Sequence, residues 1–160
     1  MVERVVIVIR RGEPRLLEIC QRWDVDVVEV DKTPEMKDTI RFGLNWIDAK
    51  YKPDLDDAWM LAPADMPRIR AELIAAVAST GFISPATIAR PQVGRRNGHP
   101  VFFPWSCASE VSELGEGQGV NAIVDRHSCR HVGTTDQGAL QDLDTPEQYA
   151  RLRPYSPSGE

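Results

Sequence analysis

The chain has 160 residues, of which 42% are hydrophobic and 27% are charged, a size and composition that allow one domain with a substantial core. Its formal net charge of -5 argues against broad binding to nucleic acid or to anionic membranes, and no apolar run approaches the roughly 20 residues of a membrane span. The three cysteines lack framework spacing and the first residues lack a signal-peptide pattern, so we expect reduced thiols and a cytoplasmic location.

The first half of the chain alternates strand and helix patterns. A continuous β-branched run at 5–9 is typical of a strand buried on both faces of a parallel sheet. Further strands are predicted at 25–30 and from Trp59, and helices at 12–23, from about Thr39 through Ile47, and from Pro67 through Val77. This alternation indicates an α/β fold with a parallel sheet between layers of helices.

The second half of the chain has shorter elements. Strands are predicted at 82–90, 101–103 and 129–134, with a turning loop at 94–100 and short helices at 106–114 and 119–127. A final helix is predicted to have Thr145 as its N-cap, Pro146 as its first residue and Gln148 as its capping-box partner. We expect one domain over 1–153, followed by a frayed tail at 154–160.

Asp65 follows the apolar strand that begins at Trp59 and precedes a proline. Ligands of α/β proteins bind at the carboxyl edge of the sheet, where such a strand ends. Asp65 is therefore a candidate for holding a divalent cation or a ligand hydroxyl. The alternative is that it caps the helix that follows.

Asp142 and Asp144 form a second candidate site, directly before the last helix. Their spacing places both carboxylates on the same side of an extended segment. Magnesium needs hard oxygen ligands and typically takes one or two carboxylates plus substrate phosphates, so one Asp from each of two strand ends would suit it. The alternative for Asp144 is a role as N-cap or dipole partner of the last helix.

The loop at 94–100 carries Arg95, Arg96 and His99 beside two glycines. Guanidinium groups match the geometry of phosphate oxygens, so this loop could bind phosphates or another anion. The alternative is a solvated hairpin tip.

His127, Cys129 and His131 alternate along the chain, and a strand would place them on one face, where zinc could bind. The absence of a fourth partner in the sequence, and the position of one ligand near a predicted helix end, disfavour this metal site. Cys20 and Cys107 are interpreted as buried packing residues, since the sequence places no histidine or other base near them.

Three motifs follow one another at characteristic spacing: Ala64-Asp65-Met66-Pro67, Gly94-Arg95-Arg96-Asn97-Gly98-His99-Pro100 and Asp142-Leu143-Asp144-Thr145-Pro146-Glu147. In this order they resemble the MobA-like nucleotidyltransferases, a family that includes the molybdenum cofactor cytidylyl- and guanylyltransferases. The resemblance extends from Val5 to about Leu152. It implies a Rossmann-like three-layer sandwich of the nucleotide-diphospho-sugar transferase type.

The resemblance also implies roles for single residues. Asp65 would be the catalytic residue that ligates a magnesium ion on the nucleotide phosphates, with Asp142 or Asp144 completing the metal site. Thr39 would contact the nucleotide. Arg96 and His99 would face the second substrate.

The reaction implied by the resemblance transfers CMP or GMP from CTP or GTP to a phosphorylated cofactor such as molybdopterin. A phosphate of that substrate attacks the α-phosphorus of the triphosphate, and pyrophosphate leaves. Catalysis of this kind rests mostly on positioning and charge neutralisation.

The chain departs from the family pattern in two places. The family opens with a strand, a glycine-rich loop of the form L-A-A-G-x-S-x-R-M-G, a lysine and a helix, whereas this sequence starts at what resembles the second strand. Because that loop cradles the triphosphate, we expect the chain as given to bind nucleotide weakly or not at all, and to be inactive. A Gly-Asp-x-Gly-x-Arg pattern is also altered at 116–121, where Asn121 replaces the arginine. The alternative function is a non-catalytic descendant that binds a ligand or a protein.

The absent first strand would be an interior strand of the sheet. If about five hydrogen bonds to each neighbour are lost at roughly 0.5–1.5 kcal/mol each, the sum rivals a domain stability of about 5–15 kcal/mol. We therefore expect that the sheet closes up, that a homodimer or a missing N-terminal segment fills the gap, or that the chain is only marginally stable.

Overall fold

The computed structural model describes residues 2–84 and 86–152, and the tail predicted at 154–160 lies outside them. The strands of this part are Val6–Arg10 (β1), Asp26–Val30 (β2), Ala58–Leu61 (β3), Ile88–Val93 (β4), Arg96–Asn97 (β5), Val101–Pro104 (β6) and Cys129–Gly133 (β7). Its α-helices are Pro14–Cys20 (α1), Met36–Tyr51 (α2), Ala71–Phe82 (α3), Asn121–Val124 (α4) and Pro146–Leu152 (α5). Short 3₁₀ helices cover Trp105–Cys107, Ser109–Glu113 and Gln137–Leu140.

Helices cover both faces of the larger sheet. Neighbouring residues of β4 show this, because Ile88 packs in a cluster with Leu44 of α2, while Ala89 packs in a second cluster with Val77 of α3. Successive side chains of a strand point to opposite faces, so the two clusters are two core layers. The predicted three-layer α/β architecture is confirmed.

The larger sheet is mixed, whereas the strand and helix pattern of the first half predicts a parallel sheet. β6 runs antiparallel to both β3 and β4, while β7 runs parallel to β4. The reason is the tight connection after β4, which reverses the chain through β5 and leads directly into β6. A parallel neighbour would need a long crossover connection instead.

β1 and β2 form a separate two-stranded parallel sheet, and no strand pairing among the described residues joins β1 to β3. The expected closing of the sheet is therefore not observed. Helix α2 connects the two sheets instead, because its Leu44 lies in the core with Trp59 of β3 and its Gly43 lies against β1. A Cβ at Gly43 would be 3.0 Å from the Cγ2 atom of Val8. A homodimer, or a further segment beside these strands, stays a prediction that a sedimentation measurement of the mass can test.

Two helices begin at residues other than those predicted. Helix α2 begins at Met36 instead of near Thr39, because the side chains of Glu35 and Asp38 form a reciprocal capping box. The helix predicted from Pro67 begins only at Ala71, since the chain first makes tight turns over 63–70.

The second half also differs in detail. The strand predicted at 82–90 occupies 88–93, because α3 extends to Phe82, and the helix predicted at 106–114 is two 3₁₀ helices. The final helix agrees with its predicted start: the Thr145 hydroxyl accepts from the Gln148 N–H at 3.2 Å, and the Gln148 side chain accepts from the Thr145 N–H at 2.8 Å. None of the helices described is long and apolar enough to cross a membrane.

Candidate functional site

Three segments that carry the candidate residues meet at one edge of the larger sheet. Leu61 at the end of β3 pairs with Val101 at the start of β6, so the turn after β3 and the loop before β6 lie side by side. β7 runs parallel to β4, so the segment 134–143 after β7 leaves the sheet at this same edge. The sheet topology thus brings together three motifs that are far apart in sequence.

Backbone hydrogen bonds join the three segments directly. The Leu143 N–H donates to the carbonyl oxygen of Asp65 at 2.9 Å, and the His99 N–H donates to the carbonyl oxygen of Ala139 at 2.9 Å. Since Leu143 lies between Asp142 and Asp144, the first bond places both of these residues next to the Asp65 turn.

Two glycines allow this close approach. A Cβ at Gly98 would lie 2.3 Å from the Ala139 carbonyl oxygen, and a Cβ at Gly138 would lie 2.3 Å from the Arg68 carbonyl oxygen. Real Cβ atoms do not come so near to a backbone oxygen, so these contacts require glycine. The edge is therefore a packed structure and not three independent loops.

The side chain of Asp136 links the segment after β7 to the turn after β3 through hydrogen bonds. Its carboxylate accepts from the Gly138 N–H and from Arg70 Nε, each at 2.9 Å. The hydrogen bond from Gly138, followed by that from Arg70, holds the pKa of the Asp136 carboxyl below its usual value. Asp136 is not among the residues predicted from the sequence, although an aspartate two residues before a glycine, as here, is typical of a side chain that binds its own turn.

The candidate carboxylates are free for a ligand. Asp65 is exposed and its side chain makes no hydrogen bond among the described residues. It does not cap α3, which begins six residues later, after Arg70. Asp144 is not the N-cap of the last helix either, because Thr145 supplies the capping hydroxyl.

These oxygens fit a divalent cation of the magnesium class. Carboxylates that come from two adjacent segments and remain open to solvent suit an ion that keeps water or phosphate ligands. Within the described part of the chain, Asp65, Asp142 and Asp144 do not form a compact group of three ligand atoms. At most two of these carboxylates can therefore bind one ion as they are placed, and the remaining ligands would have to come from outside the chain.

We call the edge of the sheet that carries Asp65, Asp142 and Asp144 the carboxylate edge. His99 lies beside the carboxylate edge and is partly buried. Burial lowers the pKa of its imidazole from the ordinary value, the nearby Asp65 carboxylate opposes this shift, and Arg90 adds to it. The ring is therefore neutral at pH 7 and can accept one hydrogen bond and donate another.

Arg96 and Thr39 are less closely tied to the edge. Arg96 is exposed on the two-residue strand β5, which pairs with the end of β4 at this side of the sheet. Thr39 is half-buried in the second turn of α2, and no hydrogen bond among the described residues joins it to Asp65. The roles of both residues stay predictions.

Cys107 is buried in the hydrophobic core, as predicted, but the expectation that no histidine lies near it is wrong. Its thiol lies in a cluster with Glu110 and His127, whose ligand atoms all lie within 4.8 Å of one another. The sequence placed no histidine near Cys107, because His127 is 20 positions away and only the fold brings it close. The zinc set considered from the sequence is not assembled, since within the described residues only this cluster gathers three such ligands, and it contains neither Cys129 nor His131. Cys20 is buried, as predicted.

Comparisons with known proteins agree with this architecture. The family model of the MobA-like NTP transferase domain matches residues 1–132, which include the first two of the three motifs, so the predicted family resemblance is confirmed. A search of curated proteins finds no match.

Solved structures similar to this chain share its fold. One is Rv0371c of Mycobacterium tuberculosis H37Rv in complex with manganese, at 20% identity and a TM-score of 0.72, covering 94% of this chain and 77% of that chain. Another is molybdopterin-guanine dinucleotide biosynthesis protein A from Archaeoglobus fulgidus, at 15% identity and a TM-score of 0.63, covering 91% and 75%. A third is a 4-diphosphocytidyl-2C-methyl-D-erythritol synthase, at 13% identity and a TM-score of 0.80, covering 95% and 81%. The predicted fold of the nucleotide-diphospho-sugar transferase type is thereby confirmed.

Proposed function

Since the chain belongs to the family of MobA-like NTP transferase domains, we propose that its carboxylate edge binds a divalent cation together with the phosphates of CTP or GTP. The observation that carries this proposal is the hydrogen bond from the Leu143 N–H to the Asp65 carbonyl oxygen, 2.9 Å long. It joins the first and third motifs, so that Asp65 and either Asp142 or Asp144 can hold one ion.

The proposed reaction is nucleotidyl transfer to a phosphorylated small molecule, with a molybdopterin-type cofactor as the model acceptor. A phosphate oxygen of the acceptor attacks the α-phosphorus of the triphosphate, the bond to the bridging oxygen breaks, and pyrophosphate carries away the electron pair. Magnesium, when bound, neutralises charge on the phosphates. Asp65 and its partner carboxylate position that ion, while His99 and Arg96 bind the acceptor phosphate.

A neutral His99 suits this role. Its pKa is lowered by burial, so at pH 7 the ring acts through directed hydrogen bonds and not through a full charge. Arg96 supplies the positive charge from an exposed position on β5. The three cysteines, all free in the structure, support the proposed cytoplasmic location.

A second candidate function is ligand or protein binding without transfer. The specific observation is Asn121, at the start of α4, which lacks the charge of the arginine that the family pattern has there.

The test is titration of the 160-residue chain with manganese and CTP or GTP, followed by water-proton relaxation. We expect weak binding of the metal–nucleotide complex that Asp65→Asn abolishes. The matched control is Asp56→Asn, which makes the same chemical change at an exposed position before β3, at the other end of the sheet.

Two results would contradict parts of the proposal. Equal binding by Asp65→Asn and Asp56→Asn, or no binding by either, would overturn the proposed metal–nucleotide edge. Tight, micromolar binding that disappears in Asp65→Asn would support the edge and overturn the expectation that a glycine-rich loop is needed. Pyrophosphate release, assayed with a phosphorylated pterin acceptor, then separates transfer from binding alone.

A further inference from the structure

Cys107, Glu110 and His127 form a cluster at the end of the sheet opposite to Asp65. Pro104 at the end of β6 pairs with Ala58 at the start of β3, so the segment after β6 begins at the edge where β3 begins. The thiol sulfur, a carboxylate oxygen and an imidazole nitrogen of the cluster lie within 4.8 Å of one another. This cluster is therefore separate from the carboxylate edge, which forms where β3 ends.

The 3₁₀ conformation after β6 explains how two members of the cluster meet. The Ala108 N–H donates to the Trp105 carbonyl oxygen at 2.8 Å, and the Val111 N–H donates to the Ala108 carbonyl oxygen at 3.3 Å. A 3₁₀ helix has three residues per turn, so side chains three positions apart lie one above the other. Cys107 and Glu110 have this spacing and therefore face the same point.

The third member, His127, is held in place by the same hydrophobic core. It follows α4, whose Ile123 and Val124 are buried in one cluster with Cys107 and Val111. All three side chains thus extend from backbone that is fixed by core packing. A site arranged in this way needs little reorganisation to bind a ligand.

We propose that Cys107, Glu110 and His127 bind a zinc-class transition-metal ion. Sulfur, nitrogen and oxygen ligands together suit zinc, whereas magnesium and calcium take oxygen ligands. Three protein ligands leave the fourth tetrahedral position for water or another ligand. The side chains of Glu110 and His127 are 21% and 29% exposed, so solvent reaches the cluster from their side.

The contacts within the cluster are compatible with an ion. His127 Nε2 and Glu110 Oε1 are 2.6 Å apart, and the metal would replace this hydrogen bond with two coordination bonds. Arg126 binds the other oxygen, Oε2, at 3.2 Å and can keep this contact, as an outer partner that orients the carboxylate.

A nucleophilic role for Cys107 fits less well. Burial and the Glu110 carboxylate raise the pKa of the thiol to about 11, whereas a reactive cysteine has a lowered pKa. Binding of a metal displaces the thiol proton, so the ion itself would supply the charge that stabilises the thiolate.

The experiment is a titration of the full chain with cobalt(II), followed by competition with zinc and a chromophoric chelator. We expect one thiolate-to-cobalt charge-transfer band with the strong d–d absorption of tetrahedral cobalt, both removed by one equivalent of zinc. Cys107→Ser should remove the charge-transfer band and lower zinc affinity at least about tenfold. Loss of a residue that only hydrogen-bonds to a metal ligand already lowers metal affinity by about that factor, and loss of a ligand should cost no less. Cys129→Ser is the matched control, since it removes a partly exposed thiol outside the cluster and should leave both signals unchanged.

Glu110→Gln is a second variant that preserves side-chain shape, in case Cys107→Ser does not fold, and circular dichroism without metal establishes the fold of each variant. It should keep the charge-transfer band and weaken zinc binding. The absence of a charge-transfer band in the parent chain, or its persistence in Cys107→Ser, would overturn the proposal. Equal zinc affinity of the parent and Glu110→Gln would overturn the assigned role of the carboxylate. Asp65→Asn, which tests the other end of the sheet, should leave the cobalt spectrum unchanged.

Discussion

Gly98 lies where a side chain has no room, so Gly98→Ala tests how tightly the loop at 94–100 packs against the segment after β7. The added Cβ would be 2.3 Å from the carbonyl oxygen of Ala139 and 3.0 Å from its carbonyl carbon. This carbonyl also accepts the His99 N–H at 2.9 Å, so the obstacle is backbone that takes part in the structure. One of the two segments must move, and the hydrogen bond is then lost or weakened.

The size of the effect can be estimated from these two contributions. Overpacking costs about 1–3 kcal/mol, and loss of one hydrogen bond costs about 0.5–1.5 kcal/mol. We expect Gly98→Ala to lower the free energy of unfolding by about 1.5–4.5 kcal/mol, a large part of a stability of about 5–15 kcal/mol. Gly119→Ala is the matched control, because a Cβ there has no heavy atom within 4 Å. It should change stability by less than about 0.5 kcal/mol.

Urea denaturation followed by circular dichroism measures both variants under the same conditions. The slope of the transition should stay the same, since the change affects stability and not the surface exposed on unfolding. If Gly98→Ala were as stable as Gly119→Ala, the two segments would not be packed as described. His99 and Asp142 would then not be held at one edge of the sheet by this packing.

Two further predictions concern the same edge. Burial lowers the pKa of His99 in the folded state, so the contribution of the neutral ring to stability is full above the unfolded pKa and is lost as pH falls through the folded pKa. His99→Gln should therefore lose less stability than the parent chain between pH 7.5 and about pH 5. An equal loss of stability in both proteins, measured by urea denaturation, would contradict the lowered pKa of His99. Asp136→Ala removes the acceptor for the Gly138 N–H and for Arg70, and should lower the free energy of unfolding by about 0.5–2 kcal/mol, as for a lost helix cap. In the same assay, no change for Asp136→Ala would show that this carboxylate does not fasten the segment.

The two ends of the larger sheet differ in chemistry. The end with Asp65 offers exposed carboxylates with a neutral imidazole, a combination suited to a hard cation and phosphates. The opposite end offers a buried thiol with His127 and Glu110, which suits a softer ion. Because different metals report on each end, manganese and cobalt titrations can test the two proposals independently.

Local chemistry explains why several elements could be predicted from the sequence. The β-branched run near Ile7 forms β1, and the Thr145, Pro146 and Gln148 pattern begins the last helix as predicted. Such features depend on hydrogen bonds and backbone preferences within a few residues. The capping box of Glu35 and Asp38 belongs to this class as well, although the sequence pattern predicts the start of α2 only near Thr39.

The family could also be identified from residue order alone, since its model matches residues 1–132, with Asp65 and the loop at 94–100 among them. The segment from Asp142 follows that match in the sequence and completes the three motifs. Their meeting at one edge could not be worked out from any one of them. It depends on β6 running antiparallel beside β3, and on hydrogen bonds between residues more than 40 positions apart, such as Leu143 and Asp65.

The sequence by itself determined the α/β class, the caps of the last helix and the family to which the chain belongs. The tertiary structure alone decided that the sheet divides between β1 and β3, that Asp136 fastens the site, and that His127 lies beside Cys107. The physical reason is that helix caps and strand patterns are set by neighbours in sequence, whereas strand pairing and side-chain clusters are set by packing between distant segments.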